Sequence, residues 1–506
     1  MTFKERFTIC GILTTQSSLH IGCGQTIAHP ELKYRDGSSH RRDVDISAVV
    51  TDHRCKPYIP GSSLKGRLRS ILRHQVDQVM LDFLFGTEQQ KDDRSRAGCL
   101  EFGDSMYVDG PPTHASLNVP YWHNERGTGI LSAVAIDRKT RTAADEKLLH
   151  REFVPPLSTF SVEITGNGLN EESIAVLLHG LDQLRVPGFG LGADSGDGQG
   201  CLSWQLKLIR RLRKADLETW KLQPLPPIGT AAGSLLDAAE LQAIQKRSVA
   251  YGATNNCDGP AVRLTIKLHF SGPFLVNDQY QTQARTTNQG DPSFAPLRDI
   301  NGETLLPARS IRGALRSQAE RILRTLSTTA IPHKAGAHSC DAIYAICDLG
   351  KLCLACQLFG TAGWRAPLWL SDFTPDPMNG GAAGIPLEQE FLAIDRFTGG
   401  GADGLKFHGK FAYKPILTGT LNLAMKEPWM LGFLCLLLRD LAEGDISLGF
   451  GASKGYGACR AEFDWAQLGG TDERKAWVRA FREKCPKPFN IPVARNAEEE
   501  IRHAVP

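Results

Sequence analysis

The stretch Ile59-Pro60-Gly61-Ser62-Ser63-Leu64-Lys65-Gly66-Arg67-Leu68-Arg69-Ser70-Ile71-Leu72-Arg73 predicts the end of a strand, a Pro-Gly turn and a helix. Its apolar residues recur at helical spacing and form one face, made of Leu64, Leu68, Ile71 and Leu72. Lys65, Arg69 and Arg73 lie four residues apart and form a basic stripe beside that face. Ser62 or Ser63 is expected to cap the helix, whose first amides then suit a phosphate. A solvated basic face on an ordinary core helix explains the same pattern.

The same element occurs again 247 residues later, as Leu306-Pro307-Ala308-Arg309-Ser310-Ile311-Arg312-Gly313-Ala314-Leu315-Arg316. Three further motifs recur in the same order. They are Leu84–Thr87 with Leu358–Thr361, Ala135–Thr140 with Ala393–Thr398, and the glycine-rich turn Leu191–Gly200 with a second turn ending at Gly457. Four motifs in one order predict a tandem duplication. The longer spacing between the first two motifs of the second copy predicts an insertion there.

The repeats set the expected domain boundaries. We expect a first domain over 1–210, a linker over 211–259, a second domain over 260–465 with a cysteine-rich insertion near 330–357, and a tail over 466–506. The stretch from Gln25 to Arg42 is expected to be a polar, glycine-bearing loop. The linker is expected to contain one helix, and the tail is polar and helix-prone.

The composition excludes several classes of protein. With 42% hydrophobic and 22% charged residues, the chain resembles a soluble globular protein. A formal net charge of only +3 means that any basic surface must be local. The N-terminus lacks the apolar region of a signal peptide and no apolar run is long enough to span a membrane, so we expect a cytoplasmic protein. Most of the thirteen cysteines are scattered singly, which favours reduced thiols over a disulfide framework.

The glycine-rich turns do not match nucleotide-binding loops. Gly190-Leu191-Gly192 lacks the third glycine of the dinucleotide fingerprint, and Gly455-Tyr456-Gly457 leads into a strand instead of a helix. Neither turn matches the Walker pattern. A glycine-rich turn before a strand fits the close approach of another backbone, from protein or from nucleic acid.

Four cysteines cluster in the insertion of the second repeat, at Cys340, Cys347, Cys353 and Cys356. Thiolates at Cys-x-x-Cys spacing, with two more just upstream, can fill a tetrahedral zinc shell. His333 or His338 could replace Cys340 as the fourth ligand. The alternatives are buried free thiols, or a redox pair without thioredoxin-like surroundings. A closed site with four ligands would be structural and would brace an insertion too small to fold alone.

The ordered set of motifs resembles the RAMP superfamily of CRISPR-associated proteins. It is similar to the backbone subunits of type III effector complexes, here fused as a tandem pair. The resemblance implies an α+β chain of two tandem ferredoxin-like (RRM-like) domains with inserted loops that form a thumb. It also implies a cytoplasmic ribonucleoprotein whose partners are a guide crRNA, a target RNA and other subunits of the complex, with cleavage of the bound target RNA.

The resemblance and the basic helices together give the expected RNA contacts. Backbone contact along such helices would hold a guide of any sequence. The candidates are Ser62, Ser63, Lys65, Arg67, Arg69, Arg138, Arg309, Arg312, Arg316, Arg396 and Lys454. In the Ile-Asp-Arg-x-Thr motifs, Asp137 and Asp395 are expected to pair with nearby arginines or to cap the loop.

The catalytic candidate comes from the resemblance. In the family, an aspartate in the loop before the Pro-Gly-Ser-Ser turn is needed for target cleavage, and Asp45, sixteen residues before Gly61, matches it. A carboxylate can help to hold a divalent cation such as Mg²⁺ at the scissile phosphate, or orient the attacking 2′-hydroxyl. A solvated or loop-capping Asp45 is the simpler interpretation, and Asp43 is an acidic neighbour. In the second copy Asp291 is the candidate, although that repeat departs from the pattern and could be inactive.

Three other functions fit the sequence. The chain could be a structural guide-binding subunit without catalysis, or a guide-processing endoribonuclease, although no histidine lies well placed near either glycine turn. It could also be a zinc-bearing adaptor without an RNA role. His20 and the scattered histidines are most simply structural.

Overall fold

The computed structural model describes residues 4–35, 41–73, 75–87, 96–111, 122–123, 125–138, 140, 142–186, 188–216, 234–254, 262–278, 294–299, 301–326, 339–340, 347–424 and 427–485. Asp291, His333 and His338 lie outside these residues. None of the described helices is long and apolar enough to cross a membrane.

The described elements of the first repeat run from the N-terminus into the linker. Its strands are β1 Arg6–Thr15, β2 Gly22–Arg35, β3 Arg41–Val49, β4 Tyr58–Ile59, β5 Leu100–Phe102, β6 Ser105–Asp109, β7 Trp122–His123, β8 Thr128–Ile136, β9 Ala143–Phe153, β10 Thr159–Asn167, β11 Leu202–Leu212 and β12 Ser234–Leu235. Its helices are α1 Gly61–Leu72, α2 Gln78–Phe85, α3 Glu171–Gln183 and, from the linker, α4 Ala238–Thr254.

The main sheet of the first repeat has the order β12-β11-β1-β10-β6-β4, with β5 also paired to β10. Among the core elements, α1 lies between β1 and β5 in the chain and α3 lies between β10 and β11, and the central strands pair antiparallel. This arrangement is the split β-α-β-β-α-β order of ferredoxin-like units. Every second residue of β1 is buried, so Ile9 and Leu13 pack in one core with Leu64 and Leu68 of α1.

The second repeat has the same order of core elements. Its strands are β13 Val262–Phe270, β14 Pro273–Phe274, β15 Leu368–Leu370, β16 Ile385–Ile394, β17 Gly401–Tyr413, β18 Ile416–Leu423 and β19 Cys459–Glu462. Its helices are α5 Ala308–Leu326, α6 Leu354–Phe359, α7 Pro428–Glu443 and α8 Thr471–Lys484. The sheet order β15-β18-β13-β19 places the first and third core strands at its centre, as in the first repeat. The structure is thus mixed helix and sheet and is consistent with two ferredoxin-like domains.

The described parts of the linker and the tail pack on the domains that precede them. In the linker, α4 lies against α3, and Tyr251 donates a hydrogen bond to the Gln75 carbonyl oxygen (2.9 Å). In the tail, α8 lies against α7, with the rings of Phe433 and Phe481 stacked at 4.5 Å. Each repeat therefore gains one more helix on its second core helix.

Each repeat also carries a hairpin outside its main sheet, which we call the thumb hairpin: β8–β9 in the first repeat and β16–β17 in the second. In the first repeat, the hairpin joins a five-stranded sheet of order β2-β3-β9-β8-β7. The expected loop from Gln25 to Arg42 is therefore wrong, because β2 and β3 form a paired hairpin there. The described side chains at the start of β2 are almost all exposed, so they do not show the apolar alternation that marks a strand.

Candidate functional site

In both basic helices, the first amide donates a hydrogen bond to a carboxylate of the same repeat. Helix α1 has Pro60 as its N-cap and no side-chain cap, so the expected Ser62 or Ser63 cap is wrong. Instead the Gly61 amide donates to Asp104 Oδ1 (2.8 Å), and in α5 the Ala308 amide donates to Asp372 Oδ1 (2.7 Å). An acidic side chain at a helix N-terminus is favourable for the helix dipole. A carboxylate therefore already occupies the first amide that the sequence offered to a phosphate.

Arg67 of α1 lies inside the first repeat. Its guanidinium donates to the carbonyl oxygens of Gly188 (2.5 Å) and Phe189 (3.0 Å) and lies over the Phe189 ring. Burial lowers the pKa of Arg67 to about 9. The neighbouring Arg69 is 3.9 Å from Asp82, and its side chain is largely buried. The basic stripe of α1 is thus partly committed to contacts within the chain.

The basic residues of α5 make contacts within and between the repeats. Arg309 donates to the Ser132 carbonyl oxygen of β8 (3.0 Å). Arg312 donates to Asp197 Oδ1 (2.5 Å) in the first glycine-rich turn and to a carbonyl oxygen of its own repeat. Arg316 pairs with Glu320 (3.0 Å). These side chains already have structural roles, and their contact with RNA stays a prediction.

The thumb hairpin of the first repeat reaches the same helix. Arg138 Nε lies 3.1 Å from Glu320 Oε2, and Glu320 is only 2% exposed. Arg365 of the second repeat donates to the Gly188 carbonyl oxygen, and the rings of Phe189 and Trp369 lie 5.5 Å apart. We call these contacts, together with those of Arg309 and Arg312, the internal joint.

Other predicted contacts lie on the surface. Ser62 and Arg396 are exposed, while Ser63 and Lys65 are partly exposed. The Lys454 ammonium lies over three phenylalanine rings, the nearest being Phe391 at 4.4 Å to the centroid. A cation held over aromatic rings is stabilised in place. Lys454 is therefore ordered by its own repeat while its residue remains exposed.

Both basic helices carry a glycine at the same position, Gly66 in α1 and Gly313 in α5. A Cβ at either residue would meet no heavy atom within 4 Å. Glycine inside a helix lowers its stability relative to alanine by about 1 kcal/mol. Packing within the described chain does not require these glycines, so they leave a smooth patch that another backbone can approach closely.

The aspartates of the two Ile-Asp-Arg motifs cap the thumb hairpins. The Thr140 amide donates to Asp137 Oδ1 (2.9 Å), and the Phe397 amide donates to Asp395 Oδ1 (2.7 Å). The loop-capping interpretation of both residues is therefore confirmed.

Asp45 lies in the middle of β3, not in the loop that the resemblance implied, and its side chain is exposed. It pairs with Ala28 of β2, and the next pair along is Lys33 with Asp43, so the four residues 29–32 of β2 lie opposite the single residue Val44 of β3. Such irregularities re-aim side chains and are frequent beside active sites. The local geometry thus sets Asp45 at a break in the hairpin.

Neighbouring side chains fix the strand that carries Asp45. The Val49 amide at the end of β3 donates to Glu152 Oε2 (2.9 Å), which is almost fully buried and also pairs with Arg126. The His20 ring donates from Nδ1 to the Glu152 carbonyl oxygen (2.7 Å), because a carbonyl can only accept. Nε2 is then an acceptor 3.5 Å from the Ser47 hydroxyl, and burial lowers the pKa of His20.

A small cavity opens beside this strand, between the thumb sheet and α5. Its lining includes His20, Arg151, Asp194, Asp197 and Arg309. Arg151 pairs in β9 with Ser47 of β3, and its guanidinium forms an ion pair with Asp194 of the glycine-rich turn. The Asp45 strand, the glycine-rich turn and the second repeat therefore meet at one place.

The four clustered cysteines converge as the spacing predicted. The Sγ atoms of Cys340, Cys347, Cys353 and Cys356 all lie within 4.8 Å of one another. Ligands at about 2.3 Å from a tetrahedral zinc ion are roughly 3.8 Å apart, so the cluster is compatible with zinc. Arg316 Nη2 also lies 3.2 Å from Cys356 Sγ and would offset thiolate charge. The Cys356 amide also donates to Cys353 Sγ (3.4 Å), a hydrogen bond that favours the thiolate form that binds a metal.

No other group of three or more candidate metal ligands occurs among the described residues. The cysteine cluster packs on the core of the second repeat, with Cys340, Cys353 and Cys356 buried. A site buried in this way fits the structural role expected for it.

Sequence reasoning missed the acidic residues that hold the basic helices: Asp104, Asp372, Asp197 and Glu320. The duplication carried a signal for two of them. At the equivalent positions, Asp197 aligns with Lys454 and Glu320 aligns with Arg73. Charge reversals between otherwise matched repeats indicate that the two copies face different surroundings.

The fold and the site define a tandem of two ferredoxin-like units, each with a basic helix, a thumb hairpin and a glycine-rich turn. The profile of the RAMP superfamily matches residues 12–203 and 294–460. These regions fall on the two repeats and cover more than half of the chain, so the chain belongs to the RAMP superfamily in two copies. A comparison with curated proteins returned no match. Membership of this superfamily suggests a CRISPR-associated RNA-binding subunit.

Proposed function

We propose that the chain is a subunit of a type III CRISPR ribonucleoprotein that binds guide crRNA and cleaves complementary target RNA from Asp45. The observation that carries the proposal is the exposed Asp45 carboxylate, at a break in β3 of a RAMP repeat, within the chain segment just before the Pro-Gly turn. Binding and cleavage are separate parts of the proposal and rest on different residues.

Guide binding is supported by the surface of α1. Ser62 is exposed, and Gly66 leaves space beside it that no described atom fills. Hydroxyls, amides and a smooth helix surface suit sugar and phosphate groups and carry no base preference. Contacts of this kind hold a guide of any sequence, which an RNA-guided complex requires.

Cleavage is supported by the chemistry of an exposed carboxylate next to bound RNA. The 2′-oxygen attacks the adjacent phosphorus and forms a 2′,3′-cyclic phosphate, while the bond from phosphorus to the 5′-oxygen breaks. Asp45 orients the 2′-hydroxyl and accepts its proton, directly or through water, and the leaving 5′-oxygen takes a proton from solvent. A divalent cation held by Asp45 and RNA oxygens would stabilise the charge on the phosphate.

The second repeat enters the proposal with less support. Asp291 lies outside the described residues, so its position relative to α5 stays a prediction. We assign cleavage to the first repeat and keep Asp291 as the candidate of the second.

Asp45→Ala in the assembled complex separates catalysis from a purely structural role. We expect guide and target to bind as in the wild type, and the cuts set by the first repeat to disappear. If all cuts persist, the chain is a structural guide-binding subunit. Metal-independent cleavage of a repeat hairpin by the isolated protein would favour guide processing instead.

An adaptor that binds only zinc and has no RNA role would differ from the RNA-binding functions in how it responds to salt. Binding of guide RNA through its phosphates must weaken steeply with salt, because counterions are released on binding. A titration from 50 to 300 mM salt tests this directly. Absence of salt-dependent RNA binding would exclude the proposed function.

A further inference from the structure

Two arginines of α5 connect the four clustered cysteines to one buried carboxylate. Arg316 Nη2 lies 3.2 Å from Cys356 Sγ, while Arg316 Nε donates to Glu320 Oε1 (3.0 Å). Arg324 Nη2 donates to the Cys340 carbonyl oxygen (3.2 Å) and lies 3.7 Å from Glu320 Oε2. Glu320 is therefore held by two side chains that also contact the cysteine cluster.

The helix explains why these side chains act together. Residues four apart in an α-helix lie on one face, so Arg316, Glu320 and Arg324 form a row of alternating charge along α5. Helix α6 contains Cys356 and packs against α5. The row on α5 thus lies beside the segment that carries the cysteines.

The same carboxylate also contacts the first repeat. Arg138, at the end of the first thumb hairpin, places its Nε 3.1 Å from Glu320 Oε2. Its Nη1 donates to the Ile136 carbonyl oxygen (3.2 Å) in the last residue of β8. The hairpin is thus fixed to α5 through Arg138.

Burial makes these contacts depend on one another. Glu320 is 2% exposed, and the side chains of Arg138 and Arg316 are each 16% exposed. A buried charge that loses its partner is strongly unfavourable. A displacement of Arg316 or Arg324 therefore also changes how well Glu320 holds Arg138.

Zinc would fix the two cysteines that the arginines contact. A tetrahedral zinc ion holds each thiolate sulfur at about 2.3 Å, so it would set the positions of Cys340 and Cys356. A zinc ion with four thiolates is anionic. Glu320 with its three arginines is cationic, so the two groups are complementary in charge when the metal is bound.

We propose that the metal site of the four clustered cysteines positions the thumb hairpin of the first repeat. Arg316 and Arg324 connect the site to Glu320, and Glu320 holds Arg138. In this role Arg316 is a positioning residue that serves the metal site and the internal joint instead of RNA. RNA takes no part in the coupling, so it can fail while cleavage by Asp45 stands.

Coupling between two sites acts in both directions. If zinc favours the docked position of Arg138, then Arg138 favours zinc binding by the same factor. The described partners of Arg138 are Glu320 and the Ile136 carbonyl oxygen, and neither belongs to the cysteine cluster. A substitution of Arg138 therefore probes the metal site from the other repeat.

Equilibrium competition with a chromophoric chelator measures the zinc affinity of the RNA-free, full-length protein. We expect Arg138→Gln to weaken zinc binding at least about fivefold, the lower end of typical coupling between sites. The matched control, Arg365→Gln, removes a different contact of the internal joint, with the Gly188 carbonyl oxygen. Its zinc affinity should stay within about twofold of the wild-type value, because that contact does not involve Glu320.

A conservative variant separates the charge of Arg138 from its packing. Arg138→Lys keeps a cation beside Glu320 and should recover most of the zinc affinity that Arg138→Gln loses. Circular dichroism checks that each variant is folded.

Hydrogen exchange measures the coupling in the opposite direction. Removal of zinc from the wild type should speed amide exchange in β8 and β9 at the end near Arg138, while β1 and β10 of the main sheet keep their protection. In Arg138→Gln, exchange at this end should already be fast, and removal of zinc should add little.

Four results would overturn the proposal. Arg138→Gln could bind zinc as tightly as the wild type, or Arg365→Gln could weaken zinc binding as much as Arg138→Gln. Removal of zinc could leave the exchange of the first thumb hairpin unchanged. A purified protein that binds no zinc would overturn it as well.

Discussion

Replacing Glu320 by glutamine should loosen the joint between the repeats. The Glu320 carboxylate is 2% exposed and lies 3.1 Å from Arg138, 3.0 Å from Arg316 and 3.7 Å from Arg324. Removing one partner of a buried ion pair costs about 3–5 kcal/mol, because the remaining charge stays buried. The arginine side chains are 16–38% exposed, so water replaces part of the lost contact. We therefore expect a loss of about 3 kcal/mol in unfolding free energy.

Urea unfolding followed by tryptophan fluorescence measures this effect. With a slope of about 3 kcal/mol per molar urea, the midpoint of the second-repeat transition should fall by about 1 M. Glu462→Gln is the matched control, because Glu462 is 66% exposed and pairs with a half-exposed His269. An exposed pair contributes about 0–1 kcal/mol, so its midpoint should move little. Equal midpoints for the two variants would refute the assignment of Glu320 as the buried centre of the joint.

Three further predictions concern the helix glycine, the cysteine cluster and the histidines. Gly66→Ala should raise the unfolding free energy by about 0.5–1 kcal/mol and weaken guide RNA binding, because the added methyl group fills the open space over the helix. The control Gly432→Ala should destabilise the protein, because its Cβ would clash with the Trp477 carbonyl oxygen. Calorimetry and RNA titration check both variants, and a destabilised Gly66→Ala would contradict the open space beside Gly66. The purified protein should carry one zinc ion by mass spectrometry. Cys356→Ala should lose the zinc and melt roughly 10 °C lower, which corresponds to a loss of about 3–4 kcal/mol in unfolding free energy. The control Cys435→Ala should retain zinc, and equal zinc contents in the two variants would refute the site. Burial lowers the pKa values of His20, His150 and His179, so the unfolded chain binds more protons than the folded chain. The contribution of these residues to stability is present above about pH 6.5, so the unfolding free energy should fall from pH 7 to 5. A urea midpoint that rises on acidification would contradict this prediction.

The duplicated elements were predictable because their signals are local. Pro60 and Gly61 set a turn, the apolar residues of α1 follow helical spacing, and the order of four motifs recurs in the second repeat. The cysteine cluster was predictable for the same reason, since its spacing lies within one short segment. These features need no knowledge of the tertiary structure.

The joint was not predictable from one repeat, because it depends on which charges face each other after folding. The sequence predicts that Arg312 contacts a phosphate, yet in the structure Arg312 donates a hydrogen bond to Asp197, which lies 115 residues earlier in the chain. Strand β2 was missed because its described side chains are almost all exposed and its first residues show no period-two pattern. Asp45 was located by resemblance alone, and its place at a break in β3 required the strand register.

Cleavage of target RNA by the assembled complex with Asp45→Asn tests the central claim most directly. The matched control is Asp43→Asn, two residues away on the same strand. Single-turnover rates should fall at least about 100-fold at the sites set by the first repeat for Asp45→Asn. They should stay near the wild-type value for Asp43→Asn, with guide and target binding unchanged in both. Wild-type rates for Asp45→Asn at every site would contradict the assignment of cleavage to this residue.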